Sequence, residues 1–140
     1  MRETILVSAC LLGLPCRYDG KRVPCEKVLE LKDFAVLIPF CPECMGGLST
    51  PRPPAELRDG LVINAEGLDV TAPYRSGAEQ ALQLCQAFGI RKAILKSRSP
   101  SCGKGRIYDG SFSKTLIEGN GITADLLLQN SIEVLTEEEL

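Results

Sequence analysis

Three of the seven cysteines follow apolar segments that are typical of buried β-strands. Cys10 ends "TILVSAC", Cys41 ends "FAVLIPFC", and Cys102 lies in the loop "KSRSPSCG" that follows "IRKAIL". Ligands of open parallel sheets bind outside the carboxyl ends of the strands. If these three strands are neighbours, the three thiols meet at one edge of the sheet. Soft sulfur donors in that arrangement suit zinc or an iron–sulfur cluster.

The elements that must position these cysteines alternate between strand and helix patterns. Strands are predicted at 4–9, 34–40, 90–96 and 132–135, and helices at 23–33, 76–89 and 123–131. The Asp-Gly pairs in "LRDGLVIN" and "RIYDGSF" indicate two short β-hairpins. We therefore predict a single α/β domain over residues 1–140, with a mainly parallel, Rossmann-like sheet flanked by helices.

The central helix has the clearest end signals. Ser76 is predicted to cap its first turn, Glu79 completes a capping box, and Gly89 ends it. Its apolar face is predicted to comprise Ala78, Ala81, Leu82, Cys85 and Phe88. Since free cysteines on such a face usually behave as small core residues, Cys85 is expected to be structural.

Composition excludes several classes of protein. The net charge of −2 gives no reason to expect long nucleic acid or a membrane surface as a partner. No apolar run is long enough to span a bilayer, and the N-terminus does not resemble a signal peptide. A cytoplasmic location, where thiols stay reduced, is the expectation. The chain contains no histidine, so the commonest general base and nitrogen ligand are both absent.

The cysteines admit more than one interpretation. A structural zinc site would use Cys10, Cys41, Cys44 and Cys102. The "CPEC" segment could instead be a redox pair, although "MGGLSTPRPP" after it does not look helical. Cys25 is expected to be structural. Whether Cys16 or Cys44 contacts the bound group stays open at this point.

Longer motifs surround these cysteines. "SACLLGLPCRYDG", "CPECMGGLSTPRPPAE", "LDVTAPYRSGA", "AILKSRSPSCGKGRIYDGSF" and "GNGITADLLLQNSIEV" together resemble domain-of-unknown-function family 523 over nearly the whole chain. That family includes thiouracil desulfidases that carry a 4Fe–4S cluster. The resemblance implies that Cys10, Cys41 and Cys102 hold such a cluster, and that Glu43 and Ser101 are catalytic.

The function implied is that of a 4Fe–4S-dependent desulfidase, a C–S hydrolase acting on a thiolated pyrimidine such as thiouracil. The substrate sulfur would bind an open iron while Glu43 takes a proton from the attacking water. A small-molecule thiolated base or nucleotide is the expected partner, and the oligomeric state is left open. Arg17, Tyr18, Arg52 and Ser99 are predicted substrate contacts.

Two alternatives remain at this point. Arg17 could simply pair with Asp19 across its turn, a position that favours aspartate. The whole chain could also be a structural module built on zinc or a cluster, or a sulfur carrier, with no turnover of its own. A catalytic cluster predicts that Glu43 is essential, whereas a zinc module predicts that Cys44 is essential and Glu43 is not.

Overall fold

The computed structural model describes residues 2–140. Its strands are β1 (Glu3–Ser8), β2 (Ala35–Phe40), β3 (Ala55–Arg58), β4 (Leu61–Asn64), β5 (Lys92–Leu95), β6 (Arg106–Tyr108), β7 (Leu116–Glu118) and β8 (Glu133–Thr136). Its helices are α1 (Glu26–Glu30), α2 (Pro42–Met45), α3 (Thr71–Phe88) and α4 (Ile122–Gln129). The four strands predicted from the sequence form one parallel sheet in the order β2-β1-β5-β8. The prediction of a single α/β domain is confirmed.

The strands that precede the three cysteines are neighbours in this sheet. β1 pairs in parallel with β2, from Glu3 opposite Ala35 to Ser8 opposite Phe40. On its other side β1 pairs in parallel with β5, where Leu6 lies opposite Ala93. The carboxyl ends of β1, β2 and β5 therefore lie at one edge, as the spacing of the cysteines predicted.

Helix α3 begins five residues before its predicted start. Its first backbone N–H, that of Thr71, donates to the Asp69 carboxylate at 2.9 Å, and the helix then runs through Ser76 without a break. The predicted capping role of Ser76 is therefore wrong. Gly89 ends the helix in the left-handed conformation, as predicted, but the ring of Phe88 is 72% exposed and does not belong to the apolar face.

Cys85 lies on the buried face of α3 and packs in the main hydrophobic core, so its structural role is confirmed. Cys25 precedes α1 and contacts the smaller core on the other side of the sheet. Neither thiol belongs to the edge where the three candidate ligands lie. No helix within residues 2–140 is both long and apolar enough to cross a membrane.

Two hairpins accompany the sheet. Asp59 and Gly60 join β3 to β4 with positive φ at both positions, which is the turn that an Asp-Gly pair favours. The second hairpin, β6–β7, is joined by the longer loop 109–115, so its Asp-Gly pair does not form a two-residue turn. The two Asp-Gly pairs predicted both hairpins, but not the length of this second connection.

Candidate active site

One cavity of about 580 Å³ opens at the carboxyl edge of the sheet. The structure brings Cys10, Cys41 and Cys102 together in its wall, and Cys16 lines it as well. The other predicted site residues in its wall are Arg17, Tyr18, Glu43, Arg52 and Ser99. Ser101 and Cys44 do not line it.

Each of the three cysteines follows its strand in a different local structure. Cys10 lies in a 3₁₀ turn, Ala9–Leu12, that continues directly from β1. Cys41 immediately precedes α2, whose first residue, Pro42, is well suited to open a helix. Cys102 lies in a loop where its backbone N–H donates to the Ser99 hydroxyl at 2.7 Å. Short turns thus hold all three thiols at the sheet edge.

Glycines fix α2 against α3. A Cβ atom at Gly77 would collide with the carbonyl oxygen of Pro42, and one at Gly46 would collide with the carbonyl oxygen of Pro73. The two backbones therefore touch directly. This contact sets the position of Cys41 and of Glu43 relative to the long helix.

Burial and hydrogen bonding keep the thiols of Cys16, Cys41 and Cys102 protonated. Burial raises the pKa of Cys102 to about 12. Hydrogen bonding to Cys10 raises the pKa of Cys16 to about 11, and hydrogen bonding to Cys16 raises the pKa of Cys41 above its usual range. All seven cysteines are free. A bound metal must displace these protons, because the thiolate is the ligand.

The carboxylate of Glu43 is held by two donors. Arg52 Nε donates to its Oε1 at 3.1 Å, and the Tyr74 hydroxyl donates to the same oxygen at 2.8 Å. Burial and the negative charge of Glu43 raise the pKa of Tyr74 above its usual range, so this phenol stays a donor. Since both bonds go to Oε1, Oε2 is left without a partner among residues 2–140.

The guanidinium of Arg52 donates most of its hydrogen bonds to other groups of the protein. Besides Glu43, its guanidinium donates to the carbonyl of Cys16 at 2.9 Å, to that of Ser49 at 3.2 Å and to the Thr50 hydroxyl at 3.0 Å. Its side chain is only 6% exposed. Most of its N–H groups are therefore unavailable to a substrate. The residue chiefly connects Glu43 to the loop that carries Cys16.

The remaining predicted contacts occupy different positions. Arg17 pairs with Asp19 through two bonds of 3.2 and 3.3 Å, which confirms the pairing that the turn predicted. Tyr18 is 44% exposed at the cavity wall. Ser101 is fully buried, and its hydroxyl bonds that of Thr123 at 2.9 Å. A hydrogen bond from Ser101 also counters the burial that raises the Cys102 pKa.

Cys44 does not line the cavity, although its thiol hydrogen-bonds that of Cys41. Its thiol lies 3.8 Å from the Cys16 carbonyl and 3.5 Å from the Thr50 hydroxyl. Within residues 2–140, no three cysteine or carboxylate side chains converge on a position that would suit a single metal ion. The thiols are instead distributed around the wall of the cavity.

Several residues of the cavity wall were not identified from the sequence, among them Tyr74, Glu137 and Phe112. Tyr74 precedes Ala78, Ala81 and Cys85 at helical spacing on α3, and this spacing was a signal that could have identified it. Glu137 accepts from the Lys96 ammonium at 2.7 Å and from the Ser97 backbone at 2.7 Å. Phe112 comes from the β6–β7 loop and had no sequence signal.

Glu137 fixes the part of the cavity wall that follows β5. Burial alone would raise its pKa, but the hydrogen bonds from Lys96 and Ser97 outweigh burial, and the pKa lies below its usual range. The ionised carboxylate of Glu137 thus connects the segment after β8 to the loop that carries Cys102.

Comparisons with known proteins show which family the chain belongs to. The fold and the cavity define an α/β protein with a thiol-lined site. The model of the 2-thiouracil desulfurase family matches residues 5–139, and the chain belongs to that family. It is 43% identical over 146 residues to the uncharacterized protein YbbK of Bacillus subtilis strain 168, with 97% of each chain covered.

A solved structure is also similar. The chain is 50% identical to the 4Fe-4S-dependent thiouracil desulfidase TudS, with a TM-score of 0.93. The match covers 99% of this chain and 93% of that one. The family expected from the sequence motifs is therefore confirmed.

Proposed function

We propose that this protein is a 4Fe–4S-dependent desulfidase that removes sulfur from a thiolated pyrimidine such as thiouracil. The observation that supports this most strongly is that Cys10, Cys41, Cys102 and Glu43 share one cavity. The family, and the neighbour whose title names this cofactor and activity, support the same conclusion.

The donor set fits the cofactor. Cys10, Cys41 and Cys102 would hold the cluster, because they are free thiols at three adjacent strand ends. When bound, a cluster with three protein ligands supplies an open iron that is a soft Lewis acid for a thiocarbonyl sulfur. The zinc alternative needs Cys44 as a fourth thiolate, and Cys44 does not line the cavity.

Glu43 is the proposed general base. Arg52 and Tyr74 hold its Oε1, and Oε2 is free to accept a proton from water beside the substrate carbon. The reaction is a hydrolysis, since the water oxygen replaces sulfur on the ring and sulfide leaves without net oxidation or reduction. A free base or a nucleotide could supply the thiolated ring.

Ser101 is the second proposed catalytic residue. Ser101 is fully buried, and its hydroxyl is bonded to Thr123 and hydrogen-bonds the neighbouring Cys102. We therefore propose that it acts through Cys102, by stabilising the thiolate with a hydrogen bond. Arg17, Tyr18, Arg52 and Ser99 stay proposed substrate contacts. We expect the enzyme to work in the cytoplasm, where its thiols remain reduced.

The test is a turnover assay on anaerobically purified protein with 2-thiouracil. We expect equal amounts of uracil, measured by chromatography, and sulfide, measured colorimetrically. Protein that carries iron and sulfide but releases neither product would instead support a structural or carrier module. Transfer of the cluster to an acceptor protein without turnover would favour the carrier.

A further inference from the structure

The loop between β6 and β7 places an aromatic ring in the cavity at an energetic cost. Phe112 lines the cavity, and the residue is 42% exposed. Its backbone has φ of 58°, a left-handed conformation that a bulky side chain rarely adopts. Lys114, two residues later, also lines the cavity and has φ of 61°. Strained residues of this kind cluster at ligand sites.

The strained loop is held in place by the other hairpin. Glu56, on β3, accepts hydrogen bonds from the backbone N–H groups of Gly110 at 3.0 Å and Phe112 at 3.1 Å. The close approach of Gly110 to the side chain of Arg58 leaves no room for a Cβ atom. The backbone at Phe112 is therefore held at the cavity by contacts from outside its own loop.

The ring shares this cavity with the reactive groups. Cys41 and Glu43 line it from the sheet edge, while Phe112 and Tyr108 line it from the β6–β7 hairpin. The side chain of Phe112 stays partly exposed in the cavity wall and belongs to neither hydrophobic core of the described residues. A planar heterocycle bound at the thiols would cover it by stacking.

We infer that Phe112 is a substrate-binding residue whose ring stacks on the pyrimidine and sets the preference for planar bases. This inference rests on the proposed function, because it assigns a residue to its substrate. Stacking of a base on an aromatic side chain is worth about five- to a hundredfold in affinity, judged by truncation of the side chain.

The sharpest variant is Phe112→Asn. Asparagine tolerates the left-handed backbone, so the substitution removes the ring without adding strain. Phe112→Tyr keeps a ring and serves as the rescue variant. Phe88→Asn is the matched control, because Phe88 is also exposed but lies at the end of α3, outside the cavity wall.

The experiment titrates uracil, the unreactive product, into anaerobically prepared holoprotein by calorimetry. We expect Phe112→Asn to weaken uracil binding about five- to a hundredfold, with wild-type cluster absorbance and an unchanged or higher Tm. Phe112→Tyr and Phe88→Asn should bind within about twofold of wild type.

Three outcomes would overturn the inference. These are a Phe112→Asn dissociation constant within twofold of wild type, a lower Tm or cluster content in that variant, or no uracil binding by wild type. Turnover of 2-thiouracil by wild type is measured in parallel. If wild type binds uracil through Phe112 but does not desulfurate, the proposed function fails while the stacking contact stands.

Discussion

Replacing Glu43 with glutamine tests the proposed base with little change in shape. The amide oxygen can still accept from Arg52 Nε and the Tyr74 hydroxyl, which now lie 3.1 and 2.8 Å from Oε1. The amide NH₂ then takes the place of Oε2 and cannot accept a proton. No cysteine is altered, so a cluster should load as in wild type.

The magnitudes follow from these contacts. Loss of a general base lowers turnover by about two to four orders of magnitude, or about 3–5 kcal/mol in the barrier. Arg52 loses a charged partner but keeps acceptors at Cys16, Ser49 and Thr50. The loss of stability should therefore be modest, about 1–3 kcal/mol. Glu43→Ala removes the acceptor altogether and should cost more.

The assay compares iron content, kcat and Tm for Glu43→Gln with those of wild type. Glu79→Gln is the control, since Glu79 is an exposed carboxylate of α3 outside the cavity. We expect normal iron and a large fall in kcat for Glu43→Gln, and no change for Glu79→Gln. Full activity with a full cluster in the Glu43 variant would refute the reasoning.

Three further substitutions test residues that hold the site in position. Tyr74→Phe removes one donor to Glu43 and should lower Tm by about 2–4 °C and kcat more than KM; an unchanged kcat would contradict its role as a positioning residue. Gly77→Ala should lower Tm and turnover although alanine usually favours a helix, because its Cβ would meet the Pro42 carbonyl; a raised Tm would show that the two backbones can separate. Glu137→Gln tests pH dependence. Because the pKa of Glu137 is lower in the folded state, its contribution to stability is present above about pH 4.3 and is lost as the pH falls further. Denaturation between pH 5 and 3 should therefore show a shallower loss of stability in the variant, and equal slopes would contradict this.

The arrangement of the three cysteines could be predicted because it depends on a local pattern and a general rule. Each candidate ligand follows a β-prone segment, and parallel strands align their carboxyl ends. Cys85 and the Arg17–Asp19 pair were predictable for the same reason, since helix periodicity and turn chemistry are local.

Features that depend on tertiary packing could not be predicted in this way. The contact between Glu43 and Tyr74 joins residues 31 positions apart and exists because two glycines let α2 approach α3. Helix α3 starts early because the Asp69 carboxylate accepts a hydrogen bond from the backbone N–H of Thr71. The sequence pattern had instead indicated Ser76 as the cap. The long β6–β7 loop is held by a carboxylate from another hairpin, which no local signal reveals.

The central claim is that three thiols hold a cluster beside a catalytic carboxylate. The most direct measurement is iron and sulfide per chain, set against 2-thiouracil turnover, in anaerobically purified single Cys→Ser variants of Cys10, Cys41 and Cys102, with Cys44→Ala as the comparison. The account predicts about four irons and four sulfides in wild type and in the Cys44 variant, both active. It predicts loss of iron and turnover together in each of the other three. Loss of metal in the Cys44 variant, or full iron and activity without Cys102, would contradict the account.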